Sequence, residues 1–312
     1  MKQVLVIRLG AMGDILHALP AVASLRASAG VRIAWIVKPQ FRELLDGGGI
    51  ADEILEFRRR GIRPLLATLR NLRQHRFDCV LDFQGLIQSA LVARLSRARR
   101  IIGFERALLR EPLAALFYHD RVQSPAAHVV DRNLDLAAAA GAAQRLIQFP
   151  LPPGCEEGIL PQDRFLLASP FAGWESKQWP LEHWLALAAL VRAELQIPLV
   201  FNVSPAQAAA FQTYGDIHLH VSSISGLIHA TRRASAVIGV DSGPMHLAAA
   251  LHRPGVAIYG PTDPQRNGPY SDCIRVLRDP AARTSYARSA ELDPSMRAIS
   301  PRQVLDALRE VL

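Results

Sequence analysis

Apolar residues along the 312-residue chain gather in short, nearly unbroken runs, and longer stretches with helical spacing separate them. In the first half the runs are QVLVIRL (3–9), RIAWIV (32–37), CVLDF (79–83) and RIIGF (100–104). After residue 160 the pattern restarts with FLLAS (165–169), PLVFNV (198–203), AVIGVD (236–241) and GVAIYG (255–260). Strands that are apolar on both faces belong to parallel sheets covered by helices on both sides. The predicted class is therefore α/β, with two doubly wound, Rossmann-like domains and a site in the cleft between them. The Pro- and Gly-rich segment FPLPPGCEEGILPQD (149–163) reads as the linker, which sets the expected domains at 1–155 and 156–312. The closing SPRQVLDALREVL places Ser300 at a helix N-cap and Pro301 at the first helical position.

Composition narrows the functional classes. Half the residues are apolar, enough for two cores, and the net charge of +8 points to an anionic partner. Three cysteines without CxxC spacing fit a reducing compartment and give no metal site. Arg8 and Asp14 interrupt the N-terminal apolar run, so it makes a poor signal peptide, and no run approaches the length of a membrane span. A cytoplasmic protein is expected. Aromatics are only 6% and no RNP, KH or zinc-finger pattern occurs, which argues against a nucleic-acid partner. Lys2, Lys38 and Lys177 are the only lysines, arginine supplying the other 33 of 36 basic residues. Lys2 and Lys38 lie at strand ends; Lys177 does not.

Two loops carry candidate chemistry. VLVIRLGAMGDILHALPAV (4–22) runs from strand through a glycine loop into a helix, the usual setting for an anion at a helix N-terminus. Yet Asp14 stands where a phosphate would sit and would repel it. The loop also lacks GxGxxG, which counts against a nicotinamide-dependent oxidoreductase. The second loop, in AVIGVDSGPMHLAAAL (236–251), suits a phosphate better: Ser242 offers a hydroxyl, Ser242 and Gly243 offer N–H groups, and His246 lies one turn in. In SPFAGWESKQWPLEHW (169–184), Lys177 is a point charge able to meet a diphosphate, and Pro180 suits the first turn of the next helix. The plainer reading is an ordinary strand-to-helix turn capped by Asp241, beside a solvated lysine and two packing tryptophans. A basic run follows: residues 58–110 hold thirteen arginines against Asp78, Asp82 and Glu105.

MGDILHALP, DFQG (82–85), REPLAALFY (110–118), KQWPLEHW (177–184), VDSGPMHLAAAL (240–251) and YGPTDP (259–264) occur in an order that resembles the ADP-heptose:lipopolysaccharide heptosyltransferases, glycosyltransferase family 9. The resemblance covers essentially the whole chain and is nearest to the type I enzymes, which add the first heptose to Kdo of the inner core. It implies a GT-B fold with the acceptor on the first domain and the donor on the second. It also implies an inverting reaction without metal or cofactor, and a last helix (about 301–312) crossing back to the first domain. Asp14 then matches the general base that deprotonates the acceptor hydroxyl. Asp241 would hold sugar hydroxyls, and Ser242, Gly243 and Lys177 the diphosphate and heptose. His246 would brace the loop, and Thr262 would face the cleft mouth. Where a family acid would hold the ribose this chain has Gln207, and where the family often has hydroxyl residues it has Ala172 and Gly173. On the acceptor side the resemblance implies Arg58, Arg59, Arg60, Arg63, Gln84 and Arg110 as contacts for Kdo-lipid A. The expected setting is a monomer, peripheral on the cytoplasmic face of the inner membrane of a Gram-negative bacterium. The enzymatic alternatives are heptosyltransferase II and a family member using another sugar nucleotide.

Overall fold

The computed structural model describes residues 2–28, 30–58, 61–211, 217–287 and 289–312; Arg59 and Arg60 of the basic run lie outside them. The chain divides into two compact units, Met1–Pro152 and Pro153–Leu312, the break falling within the proline-rich segment and just before the boundary expected at 155/156.

The first unit is a parallel sheet of β1 (Lys2–Ile7), β2 (Val31–Val37), β3 (Glu53–Glu56), β4 (Cys79–Asp82), β5 (Arg100–Phe104) and β6 (Asp120–Val122), in the order β3-β2-β1-β4-β5-β6. Val6 pairs with Trp35 on one side and Leu81 on the other. Its helices are α1 (Met12–Arg26), α2 (Ile62–Gln74), α3 (Ile87–Leu95) and α4 (Val129–Ala139). Helix α1 is buried nearly all round, as its apolar sequence requires, and packs along α4. On the opposite face, Leu5, Ile7, Ile36 and Val80 pack with Leu72 of α2, Ala90 and Ala93 of α3, and Ala114 and Ala115 of the 3-10 turn Pro112–Phe117.

The second unit repeats this topology with β7 (Leu166–Ser169), β8 (Leu199–Val203), β9 (His218–Val221), β10 (Ala236–Val240), β11 (Gly255–Tyr259) and β12 (Ile274–Arg278), in the order β12-β11-β10-β7-β8-β9. Its helices are α5 (Leu181–Leu195), α6 (Ile224–Arg233), α7 (Gly243–Ala250), α8 (Pro264–Asn267), α9 (Pro294–Ala298) and α10 (Pro301–Val311). In each unit the strand order reverses at one place, between β1 and β4 and between β7 and β10. Ligands of such sheets bind beyond the carboxyl ends of the strands at that reversal.

Helix α10 packs on α5, β11 and β12 of its own unit. Val304, Leu305 and Leu308 are buried in the second unit's core, and on the polar side Arg302 and Arg309 both pair with Glu194 of α5. The helix's apolar stripe and its ionic partners thus select the same neighbour. Ser300 caps it as predicted, donating and accepting with Gln303. Pro180 stands just before α5 rather than within its first turn.

Candidate functional site

In the first unit the site begins where β1 ends. Gly10 takes φ +147°, and a Cβ there would lie 2.6 Å from the Phe41 ring, so only glycine fits. Helix α1 starts at Met12, so Asp14 sits in its first turn rather than in the loop. One carboxylate oxygen accepts the Ala11 N–H at 3.0 Å, satisfying a donor that the helix start leaves open. The other meets Arg8 Nη2 at 2.6 Å. Arg8 is nearly buried and donates its second terminal nitrogen to the Phe83 carbonyl, while 43% of the Asp14 side chain remains exposed. The carboxylate is therefore held from behind and open in front.

The neighbouring strand end is fastened to this loop. Gln84 Oε1 accepts the Leu9 N–H at 3.0 Å, which leaves its amide nitrogen as the group for other work. Asp82 is fully buried and accepts from the Gln84 and Gly85 N–H groups (2.9 and 3.1 Å), Ser89 Oγ (2.8 Å) and the Tyr118 hydroxyl (2.8 Å). Burial pushes its carboxyl above the usual range against the pull of these donors. Burial and the Asp82 charge likewise push the Tyr118 phenol up.

In the second unit the polar centre is Asp241, which follows β10. Its side chain is 5% exposed. Oδ2 meets Lys177 Nζ at 2.5 Å and accepts the Thr262 hydroxyl at 2.6 Å, and Oδ1 lies 3.7 Å from His246 Nε2. Burial would raise this carboxyl, but the His246 and Lys177 contacts outweigh it and hold it well below the carboxylate range. Burial and the same negative charge hold the Tyr259 phenol well above its ordinary value. Lys177 is 13% exposed, and its ammonium lies 4.4 Å above the Trp174 ring. This is no solvated surface lysine. An ammonium carries three donors, and Asp241 takes one direction.

Beside this pair α7 begins. Ser242 occupies its N-cap, and the Ser242 hydroxyl is buried with no hydrogen-bond partner among the described residues. A buried orphan hydroxyl at a helix N-terminus, next to a held ammonium, is a setting for an anion.

The structure thus brings Lys177, Asp241, Ser242, Gly243, His246 and Thr262 together at the strand-order reversal of the second sheet. Thr262 does not stand at an open mouth; it is 1% exposed, because its hydroxyl serves Asp241. Gln207 is not drawn in: its Oε1 folds back on Ser204 N and Oγ. Ala172 is clamped by Gln178 through both amide atoms. Trp179 and Trp184 are core residues in edge-to-face contact. On the acceptor side Arg58 pairs with Glu56 at 2.7 Å, and Arg63 and Arg110 are exposed. Arg8, Tyr118 and Tyr259 were not singled out from sequence. Arg8 carried a signal, a cation closing an apolar strand directly before a glycine loop; the two tyrosines carried none. Among the described residues no three His, Cys, Asp or Glu side chains gather as a metal site would require.

Residues 65–292 match the sequence profile of glycosyltransferase family 9 (heptosyltransferase). Lipopolysaccharide heptosyltransferase 1 of Salmonella typhimurium is 30% identical over 86% of this chain and 91% of that protein. The protein of the same description from Escherichia coli K12 is 29% identical over 89% of this chain and 94% of its own length. The solved E. coli heptosyltransferase WaaC with ADP superimposes with a TM-score of 0.80 at 25% identity, covering 99% of this chain and all of that one. The two reversed-order parallel sheets are accordingly those of a GT-B fold. The chain belongs to glycosyltransferase family 9, the heptosyltransferases, and is a glycosyltransferase.

Proposed function

We propose that this protein is a heptosyltransferase I, moving L-glycero-D-manno-heptose from ADP-heptose to a Kdo residue of the lipopolysaccharide inner core with inversion. The observation that carries the reading is the buried Lys177–Asp241 pair beside the orphan Ser242 hydroxyl at the start of α7. The similarity to relatives described as lipopolysaccharide heptosyltransferase 1, and to an ADP-bound structure, supports it.

In this mechanism Asp14 takes the proton of the acceptor hydroxyl as that oxygen attacks the anomeric carbon. The bond from that carbon to the diphosphate breaks, and ADP departs with the electron pair. Negative charge grows on the diphosphate during the step. Lys177, the Ser242 hydroxyl and the Gly243 N–H stabilise it more in the transition state than before. Asp241 acts chiefly through its neighbours. Its oxygens are engaged by Lys177, Thr262 and His246, so it aims the ammonium instead of holding sugar hydroxyls. Arg8 fixes the direction of Asp14.

Arg58, Arg63, Arg110 and the Gln84 amide receive the carboxylate and phosphates of Kdo-lipid A, for which guanidinium forks are suited. The enzyme works as a monomer against the cytoplasmic face of the inner membrane of a Gram-negative bacterium; no described helix is long and apolar enough to cross a membrane. The Ala172 and Gln207 departures bear on donor choice, since neither offers the charged contact of the family pattern. Donor choice is tested by nucleotide release with Kdo2-lipid A as acceptor and ADP-heptose, ADP-glucose, GDP-mannose or UDP-glucose as donor. ADP-heptose should be turned over fastest; faster use of another donor would replace this reading with that of a different family-9 transferase.

A further inference from the structure

The first unit carries an outer face of exposed leucines and arginines that adjoins Arg63 and Arg110. Helix α2 packs beside α3, and α3 beside the turn Pro112–Phe117. Their inner sides cover the sheet through Leu72, Ala90, Ala93, Ala114 and Ala115. Their outer sides present Leu66 (58% exposed), Leu91 (43%), Leu113 (54%) and Leu116 (69%). Four large side chains exposed on three adjacent elements are unusual for a surface with nothing to meet.

Charge says what they meet. Arg70, Arg73, Arg94 and Arg106 are exposed on or beside the same elements, and none of them forms an ion pair among the described residues. Helices α2 and α3 contain no acidic residue at all. A protein partner's core would leave such a concentration of one sign unmatched unless it were itself strongly acidic. A layer of anionic headgroups over hydrocarbon matches both features at once. Leucines enter the acyl boundary while guanidinium groups stay with the phosphates.

We infer that the outer face of α2, α3 and the Pro112–Phe117 turn is a docking surface for an anionic lipid bilayer. This rests on the membrane-bound setting proposed above and places it on named residues. The binding needs neither Kdo nor heptose. It is a property of the face itself, separate from catalysis.

The test is co-sedimentation of the full chain with vesicles of phosphatidylethanolamine and phosphatidylglycerol, and with phosphatidylcholine vesicles, none carrying Kdo-lipid. The wild type should sediment with the anionic vesicles, release with added salt, and stay in solution with phosphatidylcholine. Leu66→Ser/Leu116→Ser should lose at least about tenfold in partitioning at low salt. Arg70→Gln/Arg73→Gln/Arg94→Gln should lose a similar factor and much of the salt dependence. In both variants ADP affinity and the circular dichroism spectrum should match wild type, which separates docking from folding and from the donor site. Wild-type partitioning in the leucine variant would overturn the inference and leave a purely electrostatic polyanion surface. Failure of the wild type to bind anionic vesicles would overturn it outright. Neither result depends on which sugar is transferred.

Discussion

Lys177 and Asp241 form a pair whose members cannot be altered independently. The ammonium is 13% exposed and the carboxylate 5%, so removing one leaves the other buried and uncompensated, a loss of about 3–5 kcal/mol in comparable sites. Lys177→Ala should therefore melt earlier and also bind ADP more weakly. Lys177→Arg should recover most of the stability but only part of the ADP affinity, because a planar fork does not reproduce a compact ammonium. Calorimetric titration with ADP together with thermal melts separates these effects; unchanged ADP affinity in Lys177→Ala would remove the lysine from the donor site. The same pair sets a pH dependence. The folded carboxyl lies below its unfolded value of about 4. Its contribution is thus complete above about pH 4 and is lost as pH falls towards the depressed value. Melting temperatures from pH 7 down to 3 should drop less steeply below pH 4 in Asp241→Asn, from a lower starting point; a parallel acid limb would contradict the assignment. For Asp14→Asn, turnover should fall by about 10²–10⁴ with ADP affinity intact. Near-wild-type kcat in that variant would dismiss Asp14 as the base.

Among the elements, what sequence could reveal divides by position in the sheet. All eight strands read from apolar runs are inner strands. The four it passed over, β3 (EILE), β6 (DRV), β9 (HLHV) and β12 (IRVLR), are the outer ones. An outer strand has one unpaired edge and lies partly in solvent, so charged residues are tolerated and the unbroken apolar run disappears. Helix α10 makes a related point. Ser300, Pro301 and the stripe Val304, Leu305, Leu308 foretell a capped amphipathic helix, but a stripe states only that a face is buried, not against what. Asp82 shows the limit most clearly. In sequence it is one acid in an arginine-rich stretch; in the fold it ties β4, α3 and the turn ending at Tyr118 behind the Asp14 loop. Tyr118→Phe removes one donor to this buried charge and should cost about 1.5–3 kcal/mol. Urea unfolding should show a lower midpoint at unchanged slope; an unaltered midpoint would mean that the hydroxyl is dispensable.

At the scale of the whole molecule, one topology is used twice, with a different loop at the corresponding place in each unit. Each sheet reverses its strand order once, and each reversal opens a place for a ligand beyond the strand ends. The second sheet puts a held ammonium, a free hydroxyl and a helix start there, which suits a diphosphate. The first puts a carboxylate there, which repels a diphosphate and suits a hydroxyl about to lose its proton. Asp14, Lys177, Ser242 and Gly243, to which the proposal gives this chemistry, drew attention in the sequence because they lie in the segments that lead from a strand into a helix. Arg8 carried a local signal and Thr262 a motif, but the contacts that Arg8 makes with Asp14, and Thr262 and Tyr259 with Asp241, are not written in the local pattern of the chain. If the protein joins a heptose to a Kdo-lipid, the mass of that lipid is the most direct measurement. Purified protein with ADP-heptose and heptose-free Kdo2-lipid A should yield a lipid heavier by one heptose, with stoichiometric release of ADP, and Asp14→Asn should not. An acceptor of unchanged mass after incubation with active, folded enzyme would contradict the account.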